Sequence, residues 1–306
     1  MSTKKQTITI QSEQLCATFS AQGAETLSLC DLRTSHEYLW WGDERWWHGT
    51  SPILFPSTGG MWNGRTLHDG IELRIPKHGF ASKCLWRVVA HEAASVTFAL
   101  SSSDDDVLKY REAYPFRYEL RVRYTLDGRT LRAEFFVENR EAEQTLYFQV
   151  GGHPGIVLPD WMEPRHPDGY LKLEGTPRRL LRAGEQGCIE VDDGMVPRSF
   201  PVPLNDEGLV ELRTETLANE ALIFDEQVTG ATVLSRDGEP VARVTSTAPV
   251  WLFWSPQGIP SPFICCEPWY GLPDLQGFEG EISERPYIQS ARAGQTWQGG
   301  YTVEVF

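Results

Sequence analysis

No stretch of this chain approaches the ~20 apolar residues that carry a helix across a membrane. The two lysines of the opening MSTKKQTITIQ are followed by no apolar core, so no secretory leader is expected and the protein is predicted to be soluble and cytoplasmic. Positive charge is in short supply. Lys and Arg number 28 against 42 Asp and Glu, a formal net charge of −14. Nucleic acid and anionic membranes demand basic patches, so neither is expected as a partner; a neutral or weakly charged small molecule suits the balance better. Metal-ligand spacing is missing as well. Cys16, Cys30, Cys84, Cys188, Cys265 and Cys266 form no CxxC, and no HxH or HExxH occurs. The cysteines are expected as buried free thiols of a reducing compartment. There is no GxSxG nucleophile elbow. Gly59-Gly60 follows Pro56 without opening a helix, so a phosphate-loop reading fails too.

Helical periodicity is almost absent, and period-two alternation takes its place. Gln6–Gln11 and Leu15–Ser20 read as an opening strand pair, and Leu85–Ala90 and Ser95–Leu100 as a second. The clearest hairpin runs from Tyr118 to Leu126, turns at Asp127-Gly128, and returns over Arg129–Glu138. Tyr118, Leu120, Val122, Tyr124 and Leu126 share one face of its first arm, and Asp-Gly suits the positive φ angles of a tight turn. A similar turn is expected at Asp237-Gly238. Some 18 to 20 short strands are expected by this count, and with no linker or break in composition they predict an all-β sandwich in one domain over residues 1–306. Ser101–Asp106 reads as a solvated acidic loop, and Arg178–Glu215 as a region of long loops.

Three stretches carry chemistry. In LYFQVGGHPG (Leu146–Gly155) a strand ends in two glycines, then His153, which Pro154 biases toward extended backbone. PKHGFA (Pro76–Ala81) sets His78 before a glycine. FICCEPWYG (Phe263–Gly271) sets Glu267 among apolar residues, where a carboxylate is costly unless paired, and where its pKa is easily tuned. Side chains should alternate there, so that Cys265 and Cys266 face opposite ways. A His with a Glu suits acid–base work in which one group gives a proton as the other takes one. Two His with one Glu also make a possible metal set, and Glu267 with Asp274 a possible glycosidase pair. Eleven tryptophans, with Trp40, Trp41, Trp46 and Trp47 early and Trp251, Trp254 and Trp269 late, exceed ordinary core needs. Indoles pack well on the flat C–H faces of sugar rings.

Taken in order, EYLWWGD (37–43), SPILFPSTGG (51–60), DGIELRIPKHGFA (69–81), YPFRYELRVRYTLDGRTL (114–131), GGHPG, ALIF (221–224) and ICCEPWYGLPD (264–274) resemble the aldose 1-epimerase (galactose mutarotase-like) family, in its bacterial-type branch with a C-terminal EPW motif. The resemblance implies a large antiparallel β-sandwich, the galactose mutarotase-like supersandwich, with a concave sugar cleft. It implies a cofactor-free isomerase that interconverts the α and β anomers of a free hexose, with a monosaccharide as its ligand and a monomer or homodimer as its state. By motif position Glu267 is then the base at the anomeric hydroxyl and His153 the acid at the ring oxygen. His78 and Trp269 fall to substrate binding, with Glu220 or Asp225 beside the IF motif. No metal is expected. Many relatives carry arginine where this chain has Gly60 and Ser82. That leaves open a carbohydrate-binding protein without turnover, or a hexose-phosphate epimerase, and predicts a preference for neutral galactose or glucose over the 6-phosphate. Arg65 is expected in a turn, and Arg74 and Lys77 are expected to face solvent.

Overall fold

The structure, a computed structural model, describes residues 6–159, 168–219 and 221–306. Those residues form 22 strands, almost entirely antiparallel. The larger sheet has nine strands, beginning with Val210–Glu211 at one edge and ending with Arg87–Glu92 at the other. Its centre is the predicted hairpin. Tyr118–Asp127 pairs with Thr130–Asn139, with Asp127 opposite Thr130. The turn is therefore Gly128-Arg129, one residue later than expected, and Gly128 takes φ +54°. Tyr118, Leu120, Val122, Tyr124 and Leu126 are all buried, as period-two alternation over a core requires. The final strand Thr296–Val305 lies on the other side of Thr130–Asn139.

The smaller sheet has six strands. Its main path runs Ala221–Asp225, Val250–Trp254, Phe263–Tyr270, Val150–Gly152 and Ile53–Leu54, and Gly155–Val157 also pairs with Phe263–Tyr270. Phe224, Trp251, Phe253, Ile264, Cys266 and Tyr270 point into the main core, where they meet the hairpin's buried residues. Residues one step out of phase point the other way. Ile223, Val250, Leu252 and Trp269 form a second, smaller apolar cluster, and Trp40, Phe263 and Cys265 a third. The vicinal cysteines thus divide between faces as expected. A third sheet, Thr7–Gln11, Leu15–Ser20 and Thr26–Asp31, adds to the core.

Two local expectations need correction. The acidic stretch expected as a loop contains a short helix, Asp105–Leu108, and Cys16 and Cys30 are only partly buried, facing each other across neighbouring strands. All six cysteines are free. The region 178–215 is irregular as expected, held by isolated bridges such as Leu181 with Ile223 and Ile189 with Leu275. No helix of the described residues is long and apolar enough to cross a membrane.

Candidate active site

Glu267 sits at the middle of Phe263–Tyr270, on the face turned away from the main core, and is 1% exposed. The strand's neighbour brings it a partner by register. Gly151 lies opposite Trp269, and Gly155 lies opposite Cys265. Counting inward from either side puts His153 directly across from Glu267, and side chains so placed on one face meet. The His153 Nε2 and Glu267 Oε2 atoms are 3.1 Å apart. They are close without being aligned for a hydrogen bond, and His153 Nδ1 has no partner either. Both groups therefore keep hydrogen-bonding capacity for a third participant.

The two glycines before His153 have separate reasons. A Cβ on Gly151 would stand 2.7 Å from the Trp269 ring, and one on Gly152 would press into the ring of Tyr301. Gly151 lets Trp269 lie flat across the strand beside Glu267. On its other side His153 stacks on Trp47, ring centroids 4.8 Å apart, and meets the edge of Trp254 at 5.7 Å.

His78 arrives from a separate turn. Phe80 and Ala81 both donate their N–H groups to the Phe55 carbonyl. The intervening approach is so close that a Cβ on Gly79, itself at φ +70°, would overlap the Phe55 carbonyl. His78 takes φ +62°, and its Nδ1 accepts the Gly59 N–H at 3.1 Å. That hydrogen bond fixes the neutral tautomer with its proton on Nε2, leaving Nε2–H free to donate. The ring meets Trp269 edge-on at 5.5 Å and lies 6.2 Å from His153.

Burial dominates the electrostatics. It lowers the pKa of His153 to about 3, with His78 and Lys77 contributing. It lowers His78 to about 3 as well, with Lys77 and Lys83 contributing. The same desolvation raises Glu267 well above the usual carboxylate range, opposed by the nearby Trp269 indole N–H and by Lys77. The indole N–H tempers the rise through proximity, for it makes no hydrogen bond of ordinary geometry. Burial thus disfavours the charged form of both His153 and Glu267, and so favours a neutral pair with its proton on Glu267 over an ion pair.

These groups form the floor of an open cavity of about 630 Å³, within the ~300–1,000 Å³ of ordinary ligand pockets. Trp47, Trp254 and Trp269 line it, with Ile223 and Leu252. His48, Glu25, Lys77, Ser82 and Lys83 also border it. Glu25 is held in place by the Thr50 and Ser51 N–H groups and the Thr50 hydroxyl. Among the described residues one group could hold a metal: the ligand atoms of His153, Cys265 and Glu267 lie within 4.8 Å of one another. Burial, and then Glu267, push the Cys265 thiol well up, whereas a metal requires the thiolate.

The structure therefore brings together His78, His153, Glu267 and Trp269. Asp225 is elsewhere. It lies on the same sheet face, in register with Val250 and through it with Trp269. Its carboxylate is taken by Arg179 at 3.0 Å and by the Tyr287 hydroxyl at 3.3 Å, and it does not border the cavity. Glu220 lies outside the described residues. Asp274 is also unavailable as a second reacting carboxylate, being fully buried against Arg285. Lys83 and Glu25 were not singled out from sequence, Trp47 and Trp254 were noted only within tryptophan clusters, and Lys77, expected to face solvent, is exposed at the border of the cavity. Their common signal is weak: each lies on or next to a loop whose path across the sheet face no local pattern encodes.

Fold and site together define a large antiparallel β-sandwich with a His–carboxylate pair on the floor of an open, indole-lined cavity. The chain belongs to the aldose 1-epimerase family, whose model matches residues 6–271. It is 28% identical to the plasmid-encoded protein LacX of Lactococcus lactis subsp. lactis over 98% of this chain and 99% of that one. Among solved structures, a galactose mutarotase related enzyme from Lactobacillus acidophilus superposes with a TM-score of 0.86 at 25% identity, covering 98% of this chain and 97% of that one. A galactose mutarotase-like protein from Lactobacillus casei gives 0.85 at 25% identity, with 98% and 100% covered.

Proposed function

We propose that the protein is a mutarotase of the bacterial-type branch with a C-terminal EPW motif, acting in the cytoplasm as one domain over residues 1–306, as a monomer or homodimer. Its reaction is the interconversion of the α and β anomers of a free hexose, without cofactor. The observation that carries the reading is the buried pair His153–Glu267, set opposite each other by strand register and 3.1 Å apart at the floor of the cavity. Ring opening must remove a proton from the anomeric hydroxyl and supply one to the ring oxygen. A pair that holds one proton can do both without solvent.

In the empty site that proton rests on Glu267. A bound sugar whose anomeric hydroxyl donates to Glu267 and whose ring oxygen accepts from His153 favours its transfer to His153. Glu267 then takes the anomeric proton as the C1–O5 bond breaks, and His153 protonates O5. The open-chain aldehyde rotates about C1–C2, and the reverse steps close either anomer. The Nε2–H of His78 and the faces of Trp47 and Trp269 hold the ring. The direct test is a polarimetric screen of freshly dissolved aldoses. Binding without any acceleration would make the protein a carbohydrate binder instead.

The pH dependence follows from the directions of the shifts. Unperturbed groups would confine the one-proton state between ~4.3 and ~6.5. Here the lower limit falls with His153, to about 3, and the upper limit rises with Glu267. As pH falls below the lower limit the pair gains a second proton and loses its base, and as pH rises through the upper limit it loses its acid. The expected kcat/KM profile shows no limb in the ordinary carboxylate range and stays flat from about pH 5 until the raised Glu267 ionises. An upper limb near 6.5 would show that His153 titrates alone, against the shared-proton account.

Removal of divalent ions is expected to change nothing, because proton transfer here uses no Lewis acid. Activity lost on prolonged chelation and restored by one divalent ion would instead assign the His153–Cys265–Glu267 cluster to a metal.

A further inference from the structure

Glu267 and His153 account for the anomeric hydroxyl and the ring oxygen of a bound sugar. The remaining hydroxyls need partners of their own. Asp225, expected for that task, is held by Arg179 and does not border the cavity. Among the described residues only two carboxylates border it, Glu267 and Glu25. Glu25 closes the turn between the strands Leu15–Ser20 and Thr26–Asp31, where its carbonyl accepts the Ser20 N–H. Gln22, in the same turn, borders the cavity as well.

This turn is wedged between the two sides of the site. On one side it meets the segment that follows His78. The Gly23 N–H donates to the Cys84 carbonyl at 2.8 Å, and the Trp86 N–H donates to the Ala21 carbonyl at 2.9 Å. Gly23 takes φ +75°, and a Cβ there would stand 2.7 Å from the Ser82 carbonyl oxygen. On the other side the turn meets the segment that follows Trp47. Glu25 Oε1 accepts the Thr50 N–H at 2.8 Å and the Ser51 N–H at 3.1 Å. The Thr50 carbonyl in turn accepts the Gly155 N–H at 3.0 Å, two residues beyond His153. Two backbone donors on one oxygen fix the direction of the whole carboxylate. Its Oε2 has no hydrogen-bond partner among the described residues, and it is not one of the buried unpaired atoms. Glu25 is therefore a half-buried carboxylate, anchored by one oxygen and unused at the other.

We propose that Glu25 is a specificity-determining residue: its Oε2 accepts a hydrogen bond from a ring hydroxyl of the sugar other than the anomeric one. This rests on the mutarotase reading of the same cavity. A hydroxyl donating to a carboxylate makes a charge-assisted hydrogen bond, roughly twice as strong as a neutral one. A site built around such a bond rejects sugars that lack the hydroxyl, because the carboxylate is then left unpaired.

The test measures kcat/KM for a hexose and its 2-, 3-, 4- and 6-deoxy analogues in the wild type and Glu25→Gln. Glutamine keeps an oxygen for the Thr50 and Ser51 N–H groups and puts an amide nitrogen in place of Oε2. The turn stays anchored while the charged acceptor is lost. In the wild type one analogue is expected to fall below the parent sugar by about 10–100-fold, the range of a hydrogen bond to a charged group. Glu25→Gln should shrink that ratio by about tenfold and leave the ratios of the other analogues as they are, since only one contact has changed. A loss shared equally by the parent and every analogue, or ratios that Glu25→Gln leaves untouched, would overturn the proposal. Glu25 would then only anchor the segment behind Trp47. Calorimetry with a 1,5-anhydrohexitol, which has no anomeric hydroxyl and cannot open, separates the proposal from the reading beneath it. If no aldose is turned over but the anhydrohexitol binds and Glu25→Gln weakens it, the hydroxyl site stands and the mutarotase reading falls. If aldoses are turned over and Glu25→Gln changes neither the ratios nor that binding, the hydroxyl site falls by itself.

Discussion

Glu267→Gln is expected to reduce kcat for anomer interconversion by about 10²–10⁴-fold, the usual contribution of a positioned acid–base group. KM should move much less. Glutamine keeps the volume, the neighbours and the neutral charge that burial imposes on the free site, so folding and sugar contacts survive. What it lacks is an exchangeable carboxyl proton. His153→Asn should cost a comparable amount, and the double variant little more than either, because the two groups act as one proton carrier and such losses do not add. The measurement is polarimetry or anomeric proton exchange, with binding followed separately. A Gln variant that equilibrates anomers at the wild-type rate would remove Glu267 from the mechanism.

The second large effect lies behind the cavity. Asp274→Ala is expected to destabilise the protein by about 3–5 kcal/mol, the cost of leaving a buried charge without its counter-charge. Arg285 and Asp274 are fully buried, with the Arg285 Nε 2.5 Å from Asp274 Oδ1. The two terminal nitrogens of Arg285 have no other hydrogen-bond partner among the described residues. Asp274 also gathers loops: its Oδ2 accepts the Trp62 N–H, its carbonyl accepts the Ile189 N–H, and its own N–H donates to Gly60. Pro273, next to it, borders the cavity and packs on Gly59. Stability loss should therefore come with loosened sugar binding. The joint change Asp274→Leu with Arg285→Met removes both charges, and its denaturation midpoint should return most of the way to wild type. A single Asp274→Ala variant with an unchanged midpoint in denaturant would show that the pair contributes nothing net.

Much of this site was legible in the sequence, for a specific reason. Glycine and proline around His153, His78 and Glu267 mark positions where backbone geometry is demanding, and such positions announce themselves locally. Alternation in FICCEPWY says which residues share a face, and the structure places Cys265, Glu267 and Trp269 together on the cavity side. The 118–139 hairpin was equally readable, apart from a one-residue shift of its turn that follows from pairing Asp127 with Thr130. The rest depended on contacts between distant segments. Asp225 has the right chemistry beside the right motif, but Arg179, 46 residues earlier, has taken its carboxylate. Lys77 is exposed as expected, and only the fold shows that its amine lies beside the loop at Gly187. Trp47 becomes a platform for His153 only because its loop folds over the sheet.

The strand Phe263–Tyr270 has a consequence for how the chain can change length. Its even-numbered residues hold the main core and its odd-numbered ones hold the chemistry. Deleting one residue upstream of Glu267 within the strand would exchange the two sets from there on, driving a carboxylate into the packed interior and Pro268 into its place. Substitutions here alter one property at a time, whereas a single-codon gap would forfeit catalysis and folding in the same event. Lineages descended from this chain are therefore expected to vary in length across 178–215, and to hold this eight-residue segment free of gaps.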